Sequence, residues 1–355
     1  MFALCIAALL ILTQSAQCSE QDSMSVYVSV LADAVYSSSS ASFEDNKRLF
    51  TLQPSRDKTL GLMQGNIKVA GTSRRLWWNL ALQEGWFAKA NYQGNDAPWR
   101  YLQEASVSTR VIDKLIIRAG VMPSHIGYES MIARDNITLS RSFTADNTPY
   151  YETGIGVRYE ASDDLTGELL VLNGWQRIID NNDDVSIGTG LTYAPTSTLK
   201  LSWNTYVGND QSRGFEKLLR VHNNLWAEVA ASEKLTLVGL LDLGLQERKQ
   251  PGRSMQWYAG IVSRYSITND LRIAGRIEQY SDPDAFIVQT PLGGSFAASA
   301  VSVNADYQLL PSVLVRGEWR GIHYNDAFLS RQTGTPRSSE NYVTFSISTA
   351  LGNPL

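Results

Sequence analysis

Tyr265-Ser-Ile-Thr-Asn-Asp-Leu271 is one copy of a unit that recurs along the chain. A tyrosine closes an alternating apolar and polar stretch, turn-forming residues follow, and a leucine opens the next stretch. Tyr159-Glu-Ala-Ser-Asp-Asp-Leu165, Tyr193-Ala-Pro-Thr-Ser-Thr-Leu199 and Tyr307-Gln-Leu-Leu-Pro-Ser-Val-Leu314 are further copies, and Val229 to Leu235 is a degenerate one. A repeat about two strands and two connections long is a hairpin repeat. Aromatics at one height beside short turns suggest an interfacial girdle of Tyr159, Tyr193, Tyr265 and Tyr307. The expected fold is all-β, a transmembrane antiparallel up-and-down β-barrel.

Alternation and turn signals place strands near 25–37, 59–71, 75–92, 99–111, 114–122, 149–161, 165–175, 184–194, 198–208, 218–230, 234–246, 255–267, 270–281, 296–308, 312–324 and 340–351. Short turns then fall at one end and longer loops at the other, the arrangement of outer-membrane barrels with periplasmic turns and outer loops. The charges share one phase. In 312–324 Val313, Val315 and Trp319 alternate with Leu314, Arg316, Glu318 and Arg320. In 149–161 Tyr151, Ile155, Val157 and Tyr159 oppose Glu152, Arg158 and Glu160. A charge facing lipid near the midplane costs about 2–4 kcal/mol, so a membrane enforces this sorting. Glu84 breaks the rule and is expected near the outer rim.

Residues 1–18 read as a secretory signal: an apolar core Ala3–Leu12, then Ala16-Gln17-Cys18 as a small-x-small cleavage site. Residues 19–355 then form a single barrel domain, with about sixteen strands at roughly twenty residues for each strand and its connection. Both cysteines, Cys5 and Cys18, fall in the signal, so neither disulfides nor thiol chemistry is expected afterwards. After the signal no apolar run approaches the ~18 residues of a spanning helix. The net charge is −4, with acids and bases interspersed, which argues against nucleic acid as a partner.

A more specific pattern runs from 118 to 208. It comprises Arg118-Ala-Gly-Val-Met-Pro-Ser-His-Ile-Gly-Tyr-Glu-Ser130, Asp135-Asn136, Ser140-Arg-Ser142, Gly154–Tyr159, Leu172-Asn-Gly-Trp-Gln176 with Asp180-Asn181-Asn182, and Tyr206-Val-Gly-Asn209. It resembles the OmpL-like β-barrel porins of Gram-negative bacteria. The resemblance implies an outer-membrane barrel with a porin role, outer-membrane lipid around it and small hydrophilic solutes within. One departure is the end, Leu351-Gly-Asn-Pro-Leu355, where outer-membrane barrels favour an aromatic.

The longest connection, 123–148, is the third outer loop. In sixteen-stranded porins that loop commonly folds into the lumen, where His125, Glu129, Arg134, Asp135, Arg141 and Asp146 would meet the permeant. Lumen-phase charges on the wall are Arg118, Glu152, Arg158, Glu160, Glu168, Arg220, Arg264, Arg272, Arg276, Arg316, Glu318 and Arg320. Arginines on late strands facing Glu152, Glu160 and Glu168 would set a transverse field; the plainer reading is that the charges pair and brace the wall, as Glu318 between Arg316 and Arg320 suggests. Near-balance of signs predicts weak ion selectivity.

Catalysis finds little support. His125, His222 and His323 have no nucleophile at a fixed spacing. The acidic run Asp180–Asp184 lacks the glycine and ligand spacing of a calcium loop. No cofactor or metal is implied. Passive diffusion is the first reading, and a loop-plugged surface receptor or structural envelope barrel is the alternative. A homotrimer is open by analogy with other sixteen-stranded porins.

Overall fold

The computed structural model describes residues 23–92, 98–291, 293–330 and 335–352. The signal assigned to 1–18, with Cys5 and Cys18, lies outside the described residues, as do part of the connection 93–98 and the last three residues. Sixteen antiparallel strands close a barrel. They are β1 (Ser25–Ser39), β2 (Thr59–Thr72), β3 (Leu76–Glu84), β4 (Leu102–Ile112), β5 (Leu115–Pro123), β6 (Tyr151–Glu160), β7 (Leu165–Leu172), β8 (Ser186–Thr196), β9 (Leu199–Asn209), β10 (Leu219–Ala230), β11 (Leu235–Glu247), β12 (Arg253–Ser266), β13 (Leu271–Asp282), β14 (Phe296–Leu310), β15 (Val313–Tyr324) and a closing strand, Ser339–Leu351. Each strand pairs with its neighbours in sequence, and β1 pairs with both β2 and the closing strand, so no edge is left.

The turns are short because polar side chains finish them. The Ser232 hydroxyl accepts from the Lys234 and Leu235 N–H groups, and the Thr268 hydroxyl from Asp270 and Leu271. These repeats of local chemistry explain the tyrosine-to-leucine rhythm of the sequence.

Successive residues point alternately out and in. The outward series is apolar and bare: Ile277 is 67% exposed, Ile261 64% and Val303 58%. Tyr159, Tyr193, Tyr265 and Tyr307 all belong to it, at the turn ends of their strands. A continuous apolar belt of this size suits lipid rather than water. No described helix is long and apolar enough to cross a membrane; the strands do it.

Three departures from the sequence reading have local causes. The third strand stops at Glu84 rather than 92, because Gly85 turns at φ 123° and the helix Trp86–Asn91 follows. A Cβ at Gly85 would lie 2.6 Å from the Met63 carbonyl oxygen, so the turn needs glycine as well as permitting it. The seventh strand ends at Leu172 rather than 175. Tyr151 keeps the outward phase but is buried at 1% exposure, because the Tyr92 ring beyond that helix stacks on it at 4.2 Å. Glu84 does sit at the loop end, paired with Lys89 at 2.7 Å.

Candidate functional site

Inside the barrel the inward series meets chain rather than open space. Residues 124–150, joining β5 to β6, lie against the inward faces of β10–β15 and the closing strand. Arg276 on β13 donates to Thr138 Oγ1 (2.7 Å), Ser140 O (2.9 Å), Ser140 Oγ (3.0 Å) and Arg141 O (3.1 Å). Arg316 on β15 donates to the carbonyls of Ala133 (2.7 Å) and Asn136 (2.8 Å), and Arg320 to that of Arg141 (2.7 Å). Carboxylates take the loop's own donors. Glu278 accepts from Phe143 N–H, Glu318 from the N–H and hydroxyl of Ser140, and Asp242 from the Thr144 hydroxyl. Short irregular backbone cannot satisfy itself, so it is the wall side chains that make burial of this loop possible.

The same wall groups pair with one another. Arg320 and Arg276 lie 2.5 and 3.0 Å from Glu278, and Arg316 lies 2.7 Å from Asp306. Glu168 is 2.5 Å from Arg118, Glu160 2.7 Å from Arg110, and Arg220 3.3 Å from Asp210. The transverse separation of arginines from glutamates is therefore not what the lumen contains; pairing and loop anchoring absorb most of those charges.

The six loop charges separate into two groups. Arg141 is fully buried, its guanidinium over the rings of Phe87 (4.9 Å) and Tyr150 (4.2 Å) and its Nε donating to Gln53. Asp146 accepts from Leu52 N–H (3.2 Å) and the Tyr150 hydroxyl (3.1 Å). The His125 ring is held between Glu152 (2.8 Å) and the Thr205 carbonyl (2.7 Å). None of these three faces a permeant; they are struts. Glu129 binds Ser142 through both its N–H and its hydroxyl (3.0 and 3.1 Å), with Arg276 at 3.5 Å. Arg134, which donates to Ser348 O (2.8 Å), and Asp135 reach open space.

A cavity of about 350 Å³ separates the loop from the opposite wall, with Lys68, Gln103 and Glu104 on the wall side and Tyr128, Glu129 and Asp135 on the loop side. Lys68 and Glu104 pair with each other on that wall at 3.1 Å.

The first outer loop, 40–58, also turns inward, a placement that no sequence pattern announces. Arg48 is buried against Asp57 and Glu340, each at 3.4 Å, with its guanidinium 3.9 Å from the centre of the Tyr342 ring. Phe50 packs among Phe296, Tyr324 and Phe328. Together with Phe143 these rings form one apolar cluster with inward residues of β11–β15.

The other histidines are placed without a nucleophile. The His222 ring lies edge-on to Trp175, 3.7 Å from Asp242, and His323 faces outward. In the acidic run Asp183 pairs with Arg213 and Asp184 with Lys217, tying two outer loops together. No cluster of potential metal ligands occurs among the described residues.

Burial in the lumen shifts several titratable groups of this loop, His125 and Asp146 among them. Burial pushes the Asp146 carboxyl up to about 6. For His125 burial opposes the charge, but the Glu152 carboxylate outweighs it and raises the imidazole above its ordinary value. A raised Asp146 favours the folded state at low pH and loses that advantage as pH climbs from the unfolded value of about 4 through 6. A raised His125 contributes below its unfolded value of about 6.5 and loses that contribution as pH rises through the folded one. Both signs agree. The barrel should be more resistant to urea at pH 5 than at pH 8, with about 1–2 kcal/mol of the difference from Asp146. Urea midpoints of the wild type and of Asp146→Asn with His125→Gln check this, since the double variant should narrow the difference by about 1–2 kcal/mol or more; an unchanged difference would refute the assignment.

Over residues 25–351 the sequence matches the family described as "Putative beta-barrel porin-2, OmpL-like". In fold the chain is similar to the anion-selective porin from Comamonas acidovorans, at 14% identity and TM-score 0.63, covering 93% of this chain and 100% of that one. It is also similar to OmpT of Vibrio cholerae, described in its trimer form, at 8% identity and TM-score 0.60, covering 93% and 99%. A third similar structure is the outer-membrane channel DcaP of Acinetobacter baumannii, at 10% identity and TM-score 0.58, covering 92% and 97%. At such identities what is shared is the fold. No curated protein matches the chain in sequence.

Proposed function

The chain belongs to the OmpL-like β-barrel porins of the bacterial outer membrane, and on that premise we propose that it is a passive channel for small hydrophilic solutes. The observation that carries this is the cavity between the seated third loop and the wall bearing Lys68, Gln103 and Glu104, with charged groups on both of its sides. A gap with charged groups on both sides filters by size first and by charge second. Asp135, Glu129 and the Lys68–Glu104 pair are the filter in this reading, and His125, Arg141 and Asp146 hold the loop that forms it. The homotrimer extends the same proposal, because OmpT of Vibrio cholerae, of like fold, is described as a trimer.

A second reading is a loop-plugged barrel that serves as a surface receptor or envelope structure. The ring cluster of Phe50, Phe143, Phe296 and Phe328 favours it, since those rings occupy lumen that an open channel would leave to water. The two readings part in a planar bilayer. Refolded protein should give discrete conductance steps, and Glu104→Gln with Asp135→Asn should change their selectivity. Silence from protein shown to be β-folded by circular dichroism would favour the plug.

A further inference from the structure

Inward acids on the late strands include Asp242, Glu278, Asp282 and Glu340 toward the loop ends and Asp306 toward a turn end, while inward bases Arg264, Arg272 and Arg316 lie toward the turn ends. Arg316 is neutralised by Asp306, which accepts from both its Nε and Nη2 (2.7 and 3.1 Å).

Four turn-side bases have no such partner. Among the described residues, Arg158 on β6, Lys200 on β9, Arg264 on β12 and Arg272 on β13 have no carboxylate within ion-pair distance, 4.0 Å. Their candidate neighbours are taken. Glu168, opposite Arg158, lies against Arg118. Glu228, opposite Lys200, accepts from the neutral Tyr128 hydroxyl at 2.5 Å, while the Lys200 ammonium lies 5.4 Å from the centre of the Trp226 ring. Asp306, opposite Arg272, is held by Arg316. Arg264 stands opposite Ala274 and Arg272 opposite Ser266, so the two arginines are diagonal neighbours on one face, roughly 7–8 Å apart. Arg272 also has a buried Nε without a hydrogen-bond partner. Like charges held this close without a counter-charge are tolerated where solvent or a mobile anion faces them, and Arg158 and Lys200 are exposed.

We propose that Arg264 and Arg272, with Arg158 and Lys200, form an anion-collecting ring in the turn-side vestibule, so that the channel's preferred solutes are small anions bearing carboxylate or phosphate groups. This rests on the channel reading, and it deepens it by naming a charge class where overall balance predicts weak selectivity. Concave walls of one sign raise the local concentration of the opposite ion, and salt screens the effect.

Two measurements keep the ring and the channel apart. In a tenfold KCl gradient the wild type should show an anion-selective reversal potential, and Arg264→Glu with Arg272→Glu should move it toward cations. A wild type that conducts without anion preference, or a variant that leaves the potential where it was, overturns the proposal and leaves the channel standing. The second measurement needs no current. With Cys5 and Cys18 replaced by serine, Ser266→Cys places a thiol opposite Arg272. In detergent-folded protein a sulfonate-bearing thiosulfonate reagent should react faster than its trimethylammonium analogue, by roughly tenfold beyond their intrinsic ratio at low salt. That excess should vanish in the double glutamate variant and shrink in Arg264→Gln with Arg272→Gln, which guards against a glutamate-induced misfold. Rates in their intrinsic ratio in the Ser266→Cys protein that keeps both arginines would refute the ring even if the channel conducts.

Discussion

Arg276→Ala is expected to release the third loop, raising single-channel conductance severalfold and opening the loop to trypsin after Arg134 and Arg141. Arg276 donates four hydrogen bonds to the segment Thr138–Arg141 from a position of 1% exposure, and its Nε sits 3.0 Å from Glu278. Truncation removes those bonds and leaves Glu278 and Glu318 buried with one fewer positive neighbour. Breaking a buried ionic network in this way costs about 3–5 kcal/mol. The cost falls on the loop, because the barrel itself is held by main-chain ladders that the Arg276 side chain does not enter. The circular dichroism of the strands should therefore change little while cleavage of the loop accelerates. Arg276→Lys keeps the charge but cannot reach all four acceptors, so its effect should be intermediate. Unchanged cleavage and unchanged conductance together would mean that the loop is seated by something other than this arginine.

The anchor shows how much of the site the sequence carried. Glu318 flanked by Arg316 and Arg320 was legible as a brace, because residues two apart on a strand share a face. The loop's partners were not legible, because Ser140 meets Glu318 across 178 residues and Arg134 meets Ser348 across 214. The family-like segments turn out to be the loop's internal and external fastenings. Gly127 donates to Asn224 and Tyr128 to Glu228, Ser130 and Asn136 bond each other reciprocally, and Gln176 accepts from Tyr150 N–H. The strands themselves read well because lipid on one side imposes a strict period of two on every segment. Where that solvent rule lapses, at the loop ends, the reading lapsed too. The helix Trp86–Asn91, the covered Tyr151 and the inward turn of the first loop around Arg48 all lie there. Charges expected to face solute, Arg141 and Asp146 above all, proved to be buried by that first loop, through Gln53 and Leu52.

The membrane-facing assignment makes a depth-dependent prediction that a water-soluble barrel would fail. Ile277 lies midway along β13, points outward and is 67% exposed. Leu60 also points outward and is 74% exposed, but it sits at the loop end of β2. In water both sites would accept arginine within a few tenths of a kcal/mol, as surface positions do. In a bilayer Ile277→Arg should cost about 2–4 kcal/mol, because the guanidinium must leave water at mid-depth, and Leu60→Arg about 0–1, because its side chain reaches the interface. Equilibrium urea unfolding in lipid vesicles compares them directly. The Ile277 variant should lose the larger share of stability in lipid and recover much of it in small detergent micelles, whose apolar layer adapts around a charge. Equal costs at the two positions would place the outward face of β13 somewhere other than the hydrocarbon. A large cost at Ile277 alone fixes both the phase of the strand and its depth, and with them which end of the barrel carries the turn-side arginines.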